Sequence, residues 1–285
     1  MSGQLEVYAL RCGATHHNEA ALFKGRALRH REFPSWVLVI RGPRADGQGT
    51  ATVLVDTGYR AGKWHTGWKG WVYRRLVPPT MRPELTTAAQ LTAQGIDPST
   101  VTHIVLTHLH PDHVGGLVDF PHAKVVVSQD TAALAQRSRL RDGVLTGLLP
   151  ESFPGADAVV IPLSSLAERE WPGLPGTPLQ AVELCSLDPS IVPDVWAVDL
   201  PGHAAGHLGV MVGERLLHAG DAAWSSDLMD CTAHMRSLPK AITWDHDAAV
   251  ATAAMLAAAR DAGITVTLSH DRDVAATIAA AQDRA

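Results

Sequence analysis

The chain has 285 residues, a net charge of −5 and a hydrophobic fraction of 46%, the composition of an ordinary folded protein. The acidic balance argues against nucleic acid as a partner, because proteins that hold phosphate backbones need a positive field. Three scattered cysteines indicate neither a disulfide framework nor a cysteine metal site. Neither a leader segment nor an apolar run long enough for a membrane span is seen, which favours a cytoplasmic protein.

Short apolar runs rich in β-branched residues, each bounded by Gly, Pro, Asp or Asn, predict strands along most of the chain. They cover residues 5–10, 35–40, 51–56, 101–108, 124–128, 194–200, 208–212, 215–220 and 264–270. Helical periodicity with start and stop signals predicts helices at 84–94, 129–139, 245–262 and 273–283. Strands in two clusters, each followed by helices, favour a layered α/β protein with two facing sheets and helices outside. Because composition shows no break, residues 1–285 are predicted to form one domain.

Two segments fit neither pattern and are predicted to be long loops that line a pocket. They are residues 11–34 and 58–83, and long loops in compact domains are usually functional or disordered. In the second segment Trp64, Trp68 and Trp71 follow helical spacing. This aromatic face either packs on the core or on a partner subunit of a homodimer, or it forms an apolar wall for a substrate.

The segment THLHPDHVGG, residues 107–116, carries the strongest chemical signal. A predicted strand leads into His108 and His110, and Asp112 and His113 follow at the start of a predicted short helix. Four ligand-type side chains within six residues can converge on neighbouring metal ions. Imidazole and carboxylate suit zinc, iron, manganese and cobalt alike, so these residues predict a metal site without fixing the metal.

Further ligands for a metal pair are expected at other strand ends, where sites are usually built. Three candidates follow predicted strands, namely His203, Asp221 and His270. His207 is predicted to be a hydrogen-bonding residue rather than a ligand. Asp221 has a second interpretation as a helix cap, but its place between a buried strand and small residues favours the metal.

Together these residues resemble the signature of the metallo-β-lactamase superfamily. The resemblance is carried by HLHPDH with its trailing glycine pair, by VDTG at 55–58, and by His203, Asp221 and His270 in that order. It covers residues 36–271, nearly the whole chain, and implies an αβ/βα sandwich with two metals at one edge of the sheets. The implied ligands are His108, His110 and His203 for one metal, Asp112, His113 and His270 for the other, and Asp221 as the bridge.

Within that superfamily the chain is most similar to the N-acyl-homoserine lactonase branch and its relatives among ester, lactone and phosphotriester hydrolases. β-Lactam hydrolases usually lack the bridging aspartate, and hydroxyacylglutathione thioesterases carry a helical domain after the sandwich. The acidic composition argues against the tRNA-processing nucleases. One departure matters: lactonases typically place a tyrosine three residues after the bridging aspartate, where this chain has Trp224. An indole N–H donates a hydrogen bond, but it is not the same acid.

The sequence therefore predicts a dinuclear metal-dependent hydrolase that attacks a small ester or lactone with a metal-bridging hydroxide. Asp112 is expected to collect the proton and pass it to the leaving group. Zinc is the expected metal, with iron, manganese and cobalt as alternatives. A phosphotriesterase, phosphodiesterase or thioesterase on the same fold is the alternative activity. The residues expected to contact the small-molecule substrate are Trp224, Trp64, Trp68 and Phe23.

Overall fold

Two mixed β-sheets form the centre of the molecule, which is a computed structural model describing residues 5–171 and 176–283. The strands of the first sheet are β1 Glu6–Asn18, β2 His30–Pro43, β3 Thr50–Val55, β4 Pro79–Thr80, β5 His103–Val105, β6 Lys124–Ser128 and β7 Val159–Ile161. Their order is β4-β1-β2-β3-β5-β6-β7, and the pairs from β3 to β7 are parallel. The strands of the second sheet are β8 Ala167–Arg169, β9 Leu179–Glu183, β10 Val195–Asp199, β11 Leu208–Val212, β12 Leu216–His218 and β13 Thr265–Thr267. They follow the order β13-β12-β11-β10-β9-β8. Within this second sheet, β12–β13 is the only parallel pair of described strands.

Helices flank these sheets. Their bounds are α1 Glu19–Leu22, α2 Gly67–Leu76, α3 Thr87–Ala93, α4 Pro111–Val114, α5 Gln129–Arg137, α6 Leu184–Leu187, α7 Ser237–Ile242, α8 His246–Asp261 and α9 Val274–Gln282. The longest, α8, begins where the Asp245 carboxylate accepts a hydrogen bond from Ala248 N at 3.0 Å, and it stops before Gly263, where φ is +97°. Among the described residues, no helix combines the length and apolar character needed to cross a membrane.

The core has three layers because each central strand is apolar on both faces. In β2, Leu38 and Ile40 point between the two sheets, whereas Val37 and Val39 point outward with Leu91 of α3. Such a strand reads as a continuous apolar run, as expected when both faces are buried. The outer face of the second sheet packs in the same way against α8. The arrangement is the α/β sandwich that the sequence predicted.

Most predicted elements are present, but the two segments predicted as loops contain regular structure. In residues 11–34, β1 and β2 continue as a long hairpin in which Thr15 pairs with Phe33 and His17 with Arg31. Residues 58–83 contain α2 and the short strand β4. The prediction failed because these strand ends carry polar side chains, and backbone pairing rather than an apolar pattern holds them extended. Strands β7, β8 and β9 were also missed.

Candidate metal centre

The histidine-rich segment lies at the end of β5, and its helix is held close to the loop after β3. Pro111 opens α4, the short helix that carries Asp112 and His113. A Cβ atom at Gly115 would lie 2.3 Å from the backbone nitrogen of Arg60, so only glycine permits this approach. The glycine pair therefore fixes α4 against the β3 loop, as its place in the motif predicted.

The structure brings the seven predicted ligand residues into two groups that share Asp221. Within each group, one ligand atom from every residue lies within 4.8 Å of the others. The first group is His108, His110, His203 and Asp221, and the second is Asp112, His113, Asp221 and His270. These side chains follow β5 in one sheet and β10, β12 and β13 in the other. The centre therefore lies where the ends of both sheets meet, with the grouping that the family resemblance implied.

Asp221 stands between the two groups. Its Oδ1 is 3.4 Å from His113 Nε2, and its Oδ2 is 3.6 Å from His203 Nε2. Oδ2 is also 3.2 Å from His270 Nε2 and 3.9 Å from His108 Nε2. One carboxylate thus offers an oxygen to each side, which a helix cap would not do.

The chemistry of these residues fits divalent cations. Three buried carboxylates, those of Asp56, Asp112 and Asp221, meet only imidazoles in the ion pairs of the described residues. His108 Nε2, His113 Nε2 and Asp221 Oδ1 are buried and have no hydrogen-bond partner there. Unpaired buried polar atoms are costly, and an ion in each of the two groups would satisfy all three of these atoms.

Hydrogen bonds behind the centre orient the imidazoles. Asp56 Oδ2 lies 2.7 Å from His113 Nδ1, and the Pro34 carbonyl oxygen lies 2.7 Å from His270 Nδ1. Because a carbonyl oxygen only accepts, His270 Nδ1 carries the hydrogen and donates it. With Nδ1 donating in this way, Nε2 faces the centre at 3.2 Å from Asp221 Oδ2, and it is the atom that a metal would bind after displacing its proton.

His207 supports the centre from outside both groups, as predicted. Its Nδ1 donates to the Leu200 carbonyl oxygen at 3.1 Å, and its Nε2 accepts from the backbone N–H of Asp221 at 3.1 Å. Both ring nitrogens are therefore used. The residue fixes the backbone of Asp221 rather than offering an atom to a metal.

The imidazoles fall into two electrostatic classes. Burial lowers the pKa of His108 and His203 well below the ordinary value, so both are neutral and have a free electron pair. Burial also lowers the pKa of His113 and His270, but the carboxylates, Asp221 first, outweigh it. The pKa of His113 is therefore raised well above its ordinary value, and that of His270 to about 9. At these two residues a cation would replace a proton.

Comparison with known families agrees with this geometry. The profile described as the metallo-beta-lactamase superfamily matches residues 30–266. The chain belongs to the metallo-beta-lactamase superfamily. This fold implies divalent metals, and the two clusters of His and Asp described above are the residues that could hold them.

Relatives of this superfamily member include hydrolases and lactonases. A probable metallo-hydrolase of Mycobacterium tuberculosis is 32% identical over 190 residues, which is 62% of this chain and 55% of the relative. The chain thus spans little more than half the length of that protein. The N-acyl homoserine lactonase AttM of Azorhizobium caulinodans is 27% identical over 197 residues, covering 68% of this chain and 67% of the lactonase.

Solved structures share the superfamily fold over nearly the whole chain. An N-acyl homoserine lactone hydrolase with its product N-hexanoyl-L-homoserine at the catalytic metal centre superposes with a TM-score of 0.67. The match covers 95% of both chains at 17% identity. At that identity the comparison establishes the architecture and not the activity.

The predicted substrate residues Trp224 and Phe23 lie in a small apolar cluster beside the centre. Their rings meet edge-on at 5.5 Å, and Phe23 is 1% exposed, so it packs against Trp224 within this cluster. Phe33, which the sequence reasoning missed, contacts Trp224 at 5.9 Å and faces the His270 ring at 6.0 Å. Among these aromatics, Phe33 therefore connects the cluster to the ligand residues.

The three tryptophans of residues 58–83 do not form one helical face. Trp64 precedes α2, stacks on Tyr59 at 6.2 Å and donates from Nε1 to the Arg60 carbonyl oxygen. Trp68 is 65% exposed and Trp71 is 57% exposed. The spacing prediction is wrong because the helix begins only at Gly67. Trp64 is part of a packed wall, whereas Trp68 stands in solvent.

Sequence reasoning also missed two buried residues near the centre. Asp56, part of the VDTG segment, is fully buried, and its Oδ2 lies 2.7 Å from His113 Nδ1. Tyr59, three residues later, is also buried close to the ligand carboxylates. A buried strand ending in an aspartate and a glycine was the available signal for this loop.

Proposed function

We propose that the protein is a dinuclear metal-dependent hydrolase of a small ester or lactone. The observation that carries the proposal is the pair of ligand groups that share Asp221. Each group offers three ligand atoms of its own and shares the Asp221 carboxylate with the other group, which is enough to hold one ion in each. The two sites share a carboxylate, which favours a metal pair over two independent ions.

Two divalent ions, most simply zinc, would supply an activated water and polarise the bond under attack. The chain's own contribution is proton handling at Asp112. Its Oδ2 lies 3.5 Å from His113 Nε2 and 3.7 Å from His270 Nε2, on the side of the ligand atoms. We infer that Oδ1 is the proton carrier, taking the proton of the nucleophile and delivering it to the leaving oxygen.

The ester or lactone preference has two supports. AttM, the relative with two thirds of its length matched, is an N-acyl homoserine lactonase. The cluster formed by Phe23, Phe33 and Trp224 gives the centre an apolar flank that suits an acyl chain. Both supports point to a small substrate with an apolar part.

Phosphodiester hydrolysis is a second candidate, favoured by one observation. Residues 58–83 contain six lysines and arginines and no acidic residue, although the whole chain has a net charge of −5. Arg60, Arg74 and Arg75 line a groove of about 410 Å³ beside Trp64. A local positive field of this kind suits an anionic substrate.

A hydrolase panel on zinc-, manganese- and iron-reconstituted protein tests the proposal. It contains lactones, aryl esters, thioesters, phosphotriesters, phosphodiesters and β-lactams, with metal content measured on the same samples. We expect close to two ions per chain and turnover of lactones or aryl esters. Turnover of phosphodiesters alone would replace the first candidate by the second. A chain that holds no metal in excess zinc, manganese or iron would overturn both.

A further inference from the structure

Four segments form the rim of the metal centre, by which we mean residues 19–29, 58–83, 137–148 and 234–244. In the third segment, a Cβ atom at Gly143 would lie 2.6 Å from the ring of His110. In the fourth, the backbone N–H of Trp244 donates to the His203 carbonyl oxygen at 3.0 Å. These two segments therefore touch two of the residues that could hold a metal.

The four segments follow one another around the centre. The backbone N–H of Lys24 donates to the His234 carbonyl oxygen at 2.8 Å, which joins the first segment to the fourth. In the fourth segment, α7 lies against the short 3₁₀ helix Leu140–Asp142 of the third. A Cβ atom at Gly147 of the third segment would overlap the His65 carbonyl oxygen of the second. The second contains β4, which pairs with β1, and β1 leads into the first segment. These contacts close the rim into a ring.

The rim is strongly cationic in a chain whose net charge is negative. It holds fourteen of the 24 lysines and arginines but two of the 29 acidic residues, Glu19 and Asp142. The side chains of these two acids are 4% and 6% exposed. The rest of the chain has ten cationic and 27 acidic side chains. The rim therefore presents a positive field on a molecule that is acidic elsewhere.

Most of the rim cations have no carboxylate partner. Among the described residues, Arg26 and Arg141 are the only rim cations that form an ion pair. Cations outside the rim are usually paired, as Arg11 is with Glu32. The charge of the rim is therefore not neutralised within the chain, and it is available to an anionic partner.

Most of the exposed large hydrophobic side chains of the described residues also lie on the rim. The second segment has Trp68, Trp71 and Leu76, and the other three have Leu28, Leu140, Leu238, Ile242 and Trp244. Leu28 is 88% exposed and Leu238 is 62% exposed, so neither packs in the core. Outside the rim, this class contains three described residues, Val118, Val160 and Leu187. Repeated apolar exposure on one part of a surface marks an interaction site.

The combination of unpaired cations with exposed Trp, Leu and Ile restricts the kind of partner. A symmetric contact with a second copy would place cations against cations. Nucleic-acid interfaces are more polar than protein interfaces, and leucine and isoleucine do not stack on bases as aromatic side chains do. At an anionic bilayer both features have a use, because cations meet the head groups and apolar side chains enter the boundary with the acyl chains.

We propose that the rim docks the protein on an anionic lipid surface. Its lysines and arginines lie against the charged head groups, and its exposed Trp, Leu and Ile side chains lie in the interface. The mouth of the metal centre then faces the lipid, because two rim segments touch ligand residues. Docking of this kind does not depend on which bond the metal centre hydrolyses.

Binding to lipid vesicles tests the proposal. Vesicles of phosphatidylcholine alone are compared with vesicles in which phosphatidylglycerol replaces part of it. We expect the protein to sediment with the anionic vesicles and not with the neutral ones, and added salt to release it. The exposed tryptophans of the described residues, Trp68, Trp71 and Trp244, all lie on the rim. Their fluorescence should therefore shift to shorter wavelength as they enter the interface.

Two rim variants with matched controls locate the contact. Lys240→Glu should lower the partition coefficient at least fivefold, because one basic residue near an anionic surface contributes about that factor. Leu238→Ser should lower it by about tenfold, because it removes an inserted side chain. Arg215→Glu and Leu187→Ser make the same kinds of change at exposed positions outside the rim, and both should stay close to the wild type. All four variants should keep the Tm and metal content of the wild type, because each altered side chain is exposed.

Several results would overturn the proposal. Equal binding to neutral and anionic vesicles, or binding to neither, would do so, and so would equal losses in the rim variants and their controls. Binding of an oligonucleotide or an acidic protein without binding to vesicles would assign the rim to a different partner. A dimer that Lys240→Glu dissociates, again without binding to vesicles, would assign it to a second copy. Turnover of soluble substrates by the wild type tests the hydrolase proposal separately, since it requires no vesicle.

Discussion

Replacement of Asp56 by asparagine tests whether Asp56 orients the ligand residue His113, because the substitution leaves His113 itself in place. Asp56 Oδ2 is 2.7 Å from His113 Nδ1, and its Oδ1 accepts from the backbone N–H of Thr107 at 2.9 Å. The residue has a left-handed backbone, with φ of 63°, which asparagine tolerates better than other non-glycine residues. The amide oxygen can keep the bond to Thr107, so the amide nitrogen then points its hydrogens at His113.

The size of the effect follows from that geometry. A donor now faces a donor, so His113 either loses this bond or moves its hydrogen to Nε2, the atom that faces the centre. Loss of a charged hydrogen bond costs about 1.5–3 kcal/mol, and loss of a partner behind a metal ligand typically costs about 10- to 100-fold in metal affinity. The two figures agree, because a tenfold change corresponds to about 1.4 kcal/mol. The effect should fall on the group of His113 and His270.

Competition between the protein and a chelator for zinc measures both affinities. We expect one of two binding steps in Asp56→Asn to weaken 10- to 100-fold and the other to change less than threefold. Asp97→Asn is the control, because it removes the same charge from the turn before β5, at the end of that strand opposite to the ligand residues, where the carboxylate accepts from Ser99 N. Two unchanged steps in Asp56→Asn, or equal loss in both variants, would refute the orienting role of Asp56.

Three further outcomes follow from single side chains. Asp112→Asn should lower kcat far more than metal content, because the amide cannot hold a proton; parallel losses would show that Asp112 is mainly a ligand. Burial raises the pKa of Asp188, whereas the hydrogen bond that its carboxylate accepts from Lys124 Nζ at 2.7 Å lowers it. The net shift is downward. Its stabilisation is therefore full above the unfolded value near 3.8 and declines as the pH falls through the lower folded pKa. Asp188→Asn should cost about 1–2 kcal/mol at pH 7, and in urea titrations a gap that stays constant down to pH 3 would contradict this. Cys12 is fully buried and burial raises its pKa to about 12, so rapid labelling by a thiol reagent at pH 8 would be unexpected.

The ligand residues were accessible to sequence reasoning because their signals are local. His108 to His113 are neighbours in the chain, and the apolar strand before them together with the glycines after them sets their geometry. His203, Asp221 and His270 each follow a predicted strand, so the meeting of strand ends in a layered fold brings them together. In both cases the signal that marks a ligand, the end of a predicted strand, lies within a few residues of it.

Contacts between distant segments were not accessible. His113 and Asp56 are bonded although 57 positions separate them, and no spacing rule indicates which aspartate is used. The strand state of Arg31 and Glu32 comes from pairing with His17 and His16, because their own side chains favour no strand. The buried position of Tyr59 depends likewise on Gly13 in another strand. Tertiary packing determines each of these contacts, and the residues around each position in the sequence do not indicate it.

The buried carboxylates of the metal centre have different ion-pair partners from the carboxylates elsewhere in the molecule. Elsewhere a buried or half-buried carboxylate meets a cationic side chain, as Asp227 meets Arg31 and Asp188 meets Lys124. At the centre, the ion pairs of the described residues give Asp56, Asp112 and Asp221 imidazoles alone. Imidazoles that give up their protons to bind metal leave these carboxylates unbalanced, and unbalanced buried charge is strongly unfavourable. The fold therefore concentrates negative charge where cations have to supply the balance.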